Sequence, residues 1–340
     1  MTVNIGDQLN MIKCITFKKL YNLFILHISY RYSRLFKTKT SWGKPFSLSI
    51  EPTTACNLAC PECPSGLKQF SRPTGKLLLK AHKKMLDEVE SSVFYINYYF
   101  QGEPFLNPDF LELIKEAKKR KIYTATSTNA HFIDEKTSKD IVESGLDRLI
   151  ISIDGLSQQT YEGYRKKGDL NKVIQGSKHL IKAKKELKSK TPYLIFQFLA
   201  VRYNEHEIPK ILEFGKGIGV NETRIKTAQI YNYKNGSDLI TKDLKYSRYK
   251  LNSDGTYSLK HKLNNHCWRM WSGAVITWDG IVVPCCFDKD AKHQMGNVLE
   301  QNFNTIWNNK KYQHFRHLLL NNRSSIDICQ NCTEGAKVFD

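Results

Sequence analysis

The feature of this 340-residue chain that most constrains its fold and chemistry is a group of three closely spaced cysteines, Cys56-Asn-Leu-Ala-Cys60-Pro-Glu-Cys63. The group follows residues 46–51, whose alternation of apolar and polar side chains predicts a β-strand. Spacings of three and two residues bring the three sulfurs to one side of a tight loop. Iron–sulfur clusters normally take four thiolates, so three local cysteines leave one iron without a protein ligand. A zinc site completed elsewhere in the chain is the alternative, although zinc usually takes paired Cys-x2-Cys units.

Strand-like and helix-like segments alternate through the following part of the chain. Further strands are predicted at residues 93–100, 122–128, 148–153, 194–201 and 222–227. Helices are predicted between them, at residues 80–91, 109–120, 135–144, 170–188 and 208–215. The alternation predicts a parallel α/β domain, and six such units predict an open or partial barrel rather than a complete eight-unit one.

Short polar motifs close successive predicted strands of this domain. They are Gln101-Gly102-Glu103-Pro104, Ser127-Thr128-Asn129 and Ser152-Ile153-Asp154-Gly155, followed after a short predicted helix by Arg165. Taken alone, each motif is typical of a turn or a helix cap. Active sites of parallel α/β barrels lie at the C-terminal ends of the strands, so the order of these motifs favours a shared site.

Together with the cysteine triplet, these motifs resemble those of the radical S-adenosylmethionine (SAM) superfamily. The resemblance implies that Cys56, Cys60 and Cys63 hold a 4Fe–4S cluster whose open iron binds the amino and carboxylate groups of SAM. In that family one electron from the cluster breaks the S–C5′ bond of SAM. The resulting 5′-deoxyadenosyl radical abstracts a substrate hydrogen, so the cofactor carries the hard chemistry.

The segment after the second predicted strand is similar to the Gly-Gly-Glu-Pro motif of the family. There, backbone carbonyls and the glutamate receive the SAM amino group, which suits a cation beside hydrogen-bond acceptors. The resemblance implies SAM contacts for Gln101, Gly102, Glu103 and Pro104. Gln101 departs from the pattern, because it stands where the family has its first glycine.

Other strand ends carry further implied SAM contacts. Asn129 lies where the family often has Thr-Asn-Gly. Ser152 and Arg165 resemble residues that meet the SAM carboxylate or ribose, and an arginine fork suits a carboxylate. Asp154 is placed in the same cofactor site. Glu62 departs from the family, many of whose members carry an aromatic residue there beside the adenine.

A second group of cysteines lies near the C-terminus. Cys267 is followed by 17 residues and then by Cys285-Cys286. A further 42 residues separate this pair from Cys329-Gln-Asn-Cys332. The segment between the first two positions predicts a β-hairpin that turns at an Asp-Gly pair. Four cysteines from these positions can close one tetrahedral site, and a structural zinc has the same sequence signature.

This region resembles the SPASM extension of radical SAM enzymes, or its shorter twitch form. The resemblance rests on residues 275–286, Gly296-Asn297-Val298 and Ile306-Trp307. The full SPASM form binds two auxiliary clusters and needs more cysteines than this region has. One fully ligated 4Fe–4S cluster resembles the twitch domain of the 2-deoxy-scyllo-inosamine dehydrogenase type. The implied ligands are Cys267, Cys285, Cys329 and Cys332, with Cys286 as a spare thiol or as the ligand in place of Cys285.

The N-terminal residues 1–44 form a basic leader with a single acid, Asp7. Apolar side chains recur in it at helical spacing, namely Phe17, Leu20, Phe24 and Ile28. A basic amphipathic helix of this kind can lie on an anionic membrane. The interpretation favoured by the sequence is a helix packed on the main domain with its charges in water.

Composition limits the function classes. The net charge of +19 points to an anionic partner (nucleic acid, a membrane surface or a phosphorylated substrate) or to a solvated basic surface. No recognisable RNA-binding module is present, so a nucleic-acid partner is not expected. No segment approaches the roughly 20 apolar residues of a membrane span, and no signal peptide is evident. The nine cysteines are therefore expected to be reduced thiols or metal ligands in the cytoplasm.

The sequence thus predicts an α/β enzyme, a partial (βα)6 radical SAM barrel followed by a small β-hairpin and helix domain of SPASM or twitch type. The predicted divisions are a leader helix at 1–44, the core at 45–231, a connector at 232–265 and the auxiliary domain at 266–340. The implied cofactors are SAM and two 4Fe–4S clusters.

The predicted substrate is a sugar or cyclitol alcohol, whose second electron the auxiliary cluster would take. Peptide maturation is the alternative, although residues 1–44 look too short and too helical for a leader-peptide-binding wing. A non-enzymatic, metal-stabilised adaptor is the remote alternative, because it leaves the ordered strand-end motifs unexplained. A flavodoxin or ferredoxin is expected as the electron donor. The expected location is the cytoplasm, or the inner face of the membrane where the leader contacts lipid.

Overall fold

The computed structural model describes residues 5–333, and these form two compact units. Within the described range, the first unit comprises residues 5–55, 70–126 and 263–333. The second unit comprises residues 56–69 and 127–262. The chain therefore leaves the first unit after residue 55, just before the cysteine triplet, and returns to the first unit at residue 70. It enters the second unit again at residue 127.

The β-strands, in chain order, are β1 Ser47–Ile50, β2 Tyr95–Asn97, β3 Tyr123–Thr128, β4 Arg148–Ser152, β5 Tyr193–Ala200, β6 Glu222–Thr227, β7 Tyr249–Leu251, β8 Tyr257–Leu259, β9 Gly273–Ile276, β10 Ile281–Val283 and β11 Gly296–Asn297. The α-helices are α1 Ile5–Ile12, α2 Phe17–Phe36, α3 Pro64–Leu67, α4 Leu79–Val89, α5 Phe110–Lys119, α6 Glu135–Glu143, α7 Gln158–Tyr164, α8 Leu170–Glu186, α9 Ile208–Ile218, α10 Arg269–Ser272, α11 Phe303–Asn308 and α12 Lys310–Asn322. Short 3₁₀ turns include Pro104–Leu106 and Asp327–Cys329.

The sheet of the first unit has the strand order β11-β10-β9-β1-β2-β3. β1 lies between β2 and β9 and pairs with both in parallel, so Ser47 stands opposite Tyr95 on one side and Gly273 on the other. β9, β10 and β11 pair antiparallel, and the predicted hairpin is confirmed. Its turn is made by Gly280, whose φ of +88° suits glycine. A C-terminal segment thus extends the parallel sheet at the edge formed by β1.

The second unit contains the parallel strands β4, β5 and β6 with helices α6 to α9. Ile195 and Phe196, which are adjacent on β5 and point to opposite faces, are both fully buried, as expected for a strand covered on both faces. The predicted connector at 232–265 carries an antiparallel pair of its own, β7 with β8. Gly255, at a φ of +82°, lies in the turn between these two strands. Strand–helix alternation is therefore the organising pattern of the core, as the sequence indicates.

One predicted strand is longer than the structure shows. Residues 93–100 were expected to be extended throughout, but β2 ends at Asn97. The next residue, Tyr98, still donates its backbone N–H to the carbonyl of Ala125, over 2.7 Å. The chain then turns toward Gly102, whose positive φ of +75° ends any regular ladder. The aromatic run through Phe100 favoured a longer strand, whereas the nearby glycine sets its limit.

The N-terminal segment forms two helices, and its packing differs from the sequence-based interpretation. α2 does pack within the first unit, where the buried Lys19 donates to the backbone carbonyls of Arg120 and Lys121 beyond the C-terminal end of α5. The apolar stripe from Phe17 to Ile28, however, faces solvent. The packed face combines the polar Lys19, Ser29 and Ser33 with the apolar Leu26 and Tyr30. Within residues 5–333, no helix is both long and apolar enough to cross a bilayer.

Candidate active site and auxiliary cysteine group

The cysteine triplet forms one compact loop at the start of the second unit. Cys60 is buried, and Cys56 and Cys63 are half-buried against the same apolar cluster. The N–H of Cys63 donates to the carbonyl of Cys60 over 3.2 Å, and Cys63 then precedes the short helix α3. On the other side, the N–H of Ala59 donates to the carbonyl of Lys166 over 3.0 Å. The loop is therefore fixed at both sides of its central cysteine.

Gly66 in α3 permits this compact shape. A Cβ atom there would lie 2.7 Å from the backbone nitrogen of Cys60, closer than real Cβ atoms approach. Only glycine lets α3 pack directly on the loop. The three thiols and this tight approach fit a cluster held by Cys56, Cys60 and Cys63, each on a different iron.

Arg165 and Asp154 form an ion pair beside the cysteine loop. Asp154, at the end of β4, is fully buried and accepts a hydrogen bond from the N–H of Leu199 over 2.7 Å. Its second oxygen pairs with Nε of Arg165 at 2.5 Å. The same guanidinium points Nη1 at the sulfur of Cys60 over 3.8 Å. A buried carboxylate thus orients an arginine beside a predicted cluster ligand.

The thiol of Cys60 reflects this setting. Burial raises its pKa, Arg165 acts against that rise, and Cys63 and Asp154 add to it. Metal ligation needs the thiolate, so loading of this loop would release a proton. The nearby guanidinium favours that charged form.

Two further predicted residues lie in the second unit. Asn129, just after β3, donates from Nδ2 to the side-chain oxygen of Asn57 over 2.7 Å, inside the cysteine loop. Ser152 ends β4 and is buried. Asn129 also accepts from the N–H of His131 over 3.1 Å, which fixes its orientation. The structure therefore ties one strand-end motif directly to the loop.

The Gln101 to Pro104 motif lies in the first unit. The N–H of Glu103 donates to the carbonyl of Ala55 over 2.7 Å, and Ala55 is the residue before Cys56. Gly102 allows this approach, since a Cβ there would stand 2.2 Å from the carbonyl oxygen of Thr53. The buried carboxylate of Glu103 accepts from the N–H of Phe105 over 3.3 Å. The motif is thus anchored to the chain that leads into the cysteine loop.

A second cysteine group forms in the first unit. The thiol of Cys285 lies within electrostatic range of Cys286, Cys267 and Cys329. Burial makes the largest contribution to raising the pKa of Cys285, and Cys286 makes the next largest. The N–H of Cys332 donates to the carbonyl of Cys329 over 3.1 Å in a tight turn. Burial raises the pKa of Cys329 to about 11. Thiols from distant sequence positions therefore lie within electrostatic range of one another.

Arg323 lies beside these thiols, although no sequence motif indicates it. Its Nη2 donates to the sulfur of Cys332 over 3.4 Å. Burial lowers the pKa of Arg323, Cys267, Cys332 and Cys329 raise it, and the net shift is upward. A cation of this kind suits a group of thiolates that would otherwise repel one another. Only the fold brings Arg323 to Cys267, which lies far away in sequence.

Family models match the chain in two places. Residues 50–215 match the radical SAM superfamily, and residues 267–333 match SPASM, an iron–sulfur cluster-binding domain. The chain is a radical SAM enzyme with a SPASM domain. Membership brings SAM, the SAM-binding 4Fe–4S cluster and an auxiliary cluster as cofactors. The divisions at residues 44, 231 and 265 remain predictions.

Sequence relatives of this radical SAM enzyme carry names that refer to diverse substrates. The tungsten-containing aldehyde ferredoxin oxidoreductase cofactor-modifying protein of Pyrococcus furiosus is 25% identical over 303 residues, covering 81% of this chain and 84% of that protein. The mycofactocin maturase MftC of Mycobacterium tuberculosis is 26% identical over 306 residues, covering 85% and 75%. The PqqA peptide cyclase of Granulibacter bethesdensis is 24% identical over 189 residues, covering 56% and 49%.

Solved structures share the fold at lower identity. anSMEcpe with bound AdoMet has a TM-score of 0.63 at 19% identity, covering 87% of this chain and 93% of that one. Streptococcus suis SuiB bound to the precursor peptide SuiA has a TM-score of 0.62 at 15% identity, covering 90% and 74%. BtrN in complex with AdoMet and 2-DOIA has a TM-score of 0.51 at 19% identity, covering 86% and 94%. These likenesses establish the radical SAM fold.

The predicted site residues fall into two sets. The second unit holds Cys56, Cys60, Cys63, Asn129, Ser152, Asp154 and Arg165. The first unit holds Gln101, Gly102, Glu103, Pro104, Cys267, Cys285, Cys329 and Cys332. Among residues 5–333, no three His, Cys, Asp or Glu side chains converge on a point that could hold a single metal ion. The roles of these residues as ligands and SAM contacts remain proposals.

Adjacent Cys285 and Cys286 have different surroundings in the SPASM domain. Cys286 packs against the apolar cluster of Val275, Val283 and Ala291. Cys285 instead interacts with the thiols of the auxiliary group. Successive side chains of an extended segment point to opposite faces, so this difference favours Cys285 as the ligand.

The second unit also contains an open cleft of about 840 Å³. Its walls come from the cysteine loop and from the segments that follow β4, β5 and β6. Polar side chains line it, among them Glu62, Lys166, His206 and Asp238. Glu62, the departure from the family pattern, also accepts from the N–H of Tyr231 over 2.9 Å. In parallel α/β domains this end of the strands is where ligands bind.

Proposed function

We propose that this radical SAM enzyme oxidises a peptide by removing a hydrogen atom and then an electron. The observation that carries the proposal is that three clustered cysteines lie in the second unit and a separate group of five lies in the first, of which we assign Cys267, Cys285, Cys329 and Cys332 as ligands. Three thiolates leave one iron of a cubane open for SAM, whereas four leave none. The four-cysteine set therefore suits electron transfer rather than substrate binding.

The electrons and atoms of the proposed reaction balance. The cluster at Cys56, Cys60 and Cys63, when bound, supplies the electron that cleaves SAM to methionine and a 5′-deoxyadenosyl radical. That radical takes a hydrogen atom from a substrate C–H bond and becomes 5′-deoxyadenosine. A cluster held by Cys267, Cys285, Cys329 and Cys332 would accept the remaining electron from the substrate, and the proton released with it would pass to water. One electron enters from a flavodoxin or ferredoxin, one leaves, and the product is two hydrogens lighter.

The chain's own residues position SAM in this proposal. Arg165, held by Asp154 beside Cys60, would meet the SAM carboxylate. Glu103, held on the segment that leads into Cys56, would accept from the SAM amino group. Both assignments use charge-assisted hydrogen bonds, which are roughly twice as strong as neutral ones.

The cleft of the second unit supports a peptide as the substrate. A cleft of about 840 Å³ that opens to solvent can admit part of a chain whose ends remain outside. One sequence relative is named for its action on a peptide, the PqqA peptide cyclase. Helices α1 and α2 occupy most of residues 5–36, so a peptide would have to be recognised by the cleft rather than by an N-terminal wing.

A sugar or cyclitol alcohol is the second candidate, favoured by the polar lining of the same cleft. Glu62, Asp238 and His206 offer acceptors and donors of the kind that bind substrate hydroxyl groups. A small polyol could be held by such groups without any contact outside the cleft. The oxidation chemistry would be the same for both candidates.

The test is anaerobic turnover of the full chain with SAM, reductant and either precursor peptides encoded near its gene or a panel of cyclitols. Mass spectrometry measures 5′-deoxyadenosine and the substrate mass. We expect a peptide that raises 5′-deoxyadenosine and becomes two hydrogens lighter. Turnover of a cyclitol alone would transfer the proposal to the second candidate. A product that has not lost two hydrogens would refute the oxidation itself.

We also infer a cytoplasmic location. The proposed reaction needs reduced thiols and a low-potential electron donor, and the cytosol supplies both. Fractionation of producing cells should find the enzyme inside the cell.

A further inference from the structure

The two N-terminal helices of the first unit expose an apolar stripe. On α2, Phe17 is 86% exposed, Phe24 61% and Leu35 73%. Other exposed apolar side chains on the same helices are Ile5, Leu9, Ile12, Leu20, Tyr21, Ile28, Tyr32 and Phe36. We call these residues together the N-terminal face. Contiguous apolar surface of this size marks an interaction site rather than ordinary surface.

The N-terminal face is not needed to hold α2 in place. The opposite side of α2 makes the tertiary contacts, through Lys19, Leu26, Ser29, Tyr30 and Ser33. Ser29 and Ser33 both donate to the carbonyl of Thr40, over 3.3 and 2.8 Å. α2 therefore buries one side in the first unit and still turns a row of large apolar side chains on its other side toward solvent, where an ordinary surface helix carries polar residues.

The exposed charged groups of residues 5–44 are all of one sign. The exposed cations are Lys13, Lys18, Arg31, Arg34, Lys37 and Lys39. The only acid of residues 1–44, Asp7, is buried and accepts a hydrogen bond from the hydroxyl of Tyr123. The segment therefore presents positive charge without any exposed carboxylate.

A groove of about 590 Å³ lies beside the stripe. His27, Tyr30, Arg31, Arg34 and Leu35 line it. Two guanidinium groups three residues apart on one helix face offer donors suited to phosphate oxygens. The groove thus places anion-binding groups at the border of the apolar stripe.

We propose that the N-terminal face binds the surface of an anionic bilayer. The apolar side chains insert to the level of the acyl chain boundary, and the surrounding cations contact headgroup phosphates, as in other interfacial amphipathic helices. A second copy of the chain fits less well, because an isologous contact would bring the same cations together. The contact is peripheral. It goes beyond the proposed reaction and does not depend on it.

Flotation of the full, cluster-loaded chain with lipid vesicles tests the proposal. Vesicles of phosphatidylcholine alone are compared with vesicles that also contain phosphatidylglycerol. We expect binding to the anionic vesicles only, weakened by salt. Phe24→Glu should reduce the bound fraction more than tenfold, whereas Leu251→Glu, at an exposed leucine of β7 in the second unit, should leave it unchanged.

A second pair of variants separates the charge contribution. Arg34→Gln should weaken binding to the anionic vesicles about fivefold, because that is the usual contribution of one basic residue near an anionic membrane surface. Lys216→Gln, an exposed lysine on α9, should have no effect. Reductant-driven SAM cleavage by all four variants should equal that of the parent chain, which shows that they fold.

Several outcomes would overturn the proposal. The first is that the parent chain does not float with the anionic vesicles. The second is that it binds vesicles of phosphatidylcholine alone as well as it binds the anionic vesicles. Equal losses for Phe24→Glu and Leu251→Glu would show a nonspecific effect. A dimer in solution that Phe24→Glu converts to a monomer would assign the N-terminal face to a second copy instead.

Discussion

Arg165 shows how neighbouring residues position a single group in this enzyme. Asp154 is fully buried and holds the guanidinium at 2.5 Å, while the same guanidinium lies 3.8 Å from the sulfur of Cys60. The sequence indicated all three residues, because each follows a strand or belongs to a short motif. It could not indicate Arg323, whose contact with Cys332 depends on how two C-terminal turns fold together. Site residues that belong to a short sequence motif could therefore be predicted from the sequence, whereas a residue that only folding brings to the site could not.

Glu103→Ala should weaken SAM binding and leave iron loading almost unchanged. The buried carboxylate would lose a charge-assisted hydrogen bond, worth about 1.5–3 kcal/mol, so the Kd for SAM should rise roughly 10- to 100-fold. Equilibrium binding of SAM under anaerobic conditions gives the Kd, and iron analysis gives the loading. Glu112→Ala, on an exposed position of α5, is the control and should bind SAM normally. An unchanged Kd would remove Glu103 from the SAM site.

Cys285→Ser should cost about four irons, whereas Cys286→Ser should cost none. Cys285 lies with the other auxiliary thiols, while Cys286 packs on an apolar cluster. Iron analysis and EPR spectra of the two matched variants measure the difference. Equal iron loss from both would contradict the assignment.

At the scale of elements, helix α3 and the cysteine loop form one unit. The strands and helices of the core follow from periodicity, but the close packing of α3 on the loop does not. Gly66 is one glycine among nineteen in the sequence, and only the fold shows that its missing side chain makes room for Cys60. The orientation of the apolar stripe on α2 could not be predicted either, since periodicity shows that a stripe exists but not whether it faces the core or solvent.

Gly66→Ala should deplete iron from the first site while the auxiliary site stays loaded. Its Cβ would meet the backbone nitrogen of Cys60 at 2.7 Å, so either α3 or the loop must move. Gly217→Ala on α9 is the matched control, because its Cβ meets nothing within 4 Å. We expect the control to gain up to about 1 kcal/mol in free energy of unfolding. Full iron loading of Gly66→Ala would show that the loop does not depend on this contact.

At the scale of the whole molecule, the sheet of the first unit joins segments that are more than 200 residues apart. β1 pairs with β9, so the SPASM domain and the start of the core share one ladder. Sequence patterns predicted the hairpin of β9 and β10 but gave no sign of its neighbour. Pairing of distant strands depends on tertiary packing, which one sequence without relatives does not report. Acid sensitivity is another property of the assembled core.

His82, buried on α4, should make the fold less stable in acid. Burial lowers its pKa to about 3, and its ring nitrogen lies 2.8 Å from the hydroxyl of Tyr98. The unfolded chain takes up a proton below about pH 6.5, which the folded chain does not, so stability falls as the pH drops from about 6.5 toward 3. At pH 5 the loss from this group is about 2 kcal/mol.

Anaerobic urea unfolding at pH 7 and pH 5 measures this effect in matched variants. His82→Gln should show a smaller difference between the two pH values than the parent chain. His314→Gln, at an exposed histidine of α12, should keep the full difference. A parent chain that is equally stable at both pH values would contradict the role given to His82.

The central claim, one SAM-cleaving site and one separate auxiliary site, is tested most directly by iron, sulfide and zinc analysis together with SAM cleavage in one triple variant. The reconstituted parent chain should hold about eight irons and no zinc. Changing Cys56, Cys60 and Cys63 to Ala should leave about four irons and abolish formation of 5′-deoxyadenosine under reductant. Stoichiometric zinc with about four irons in the parent chain, or 5′-deoxyadenosine from the triple variant, would contradict the account.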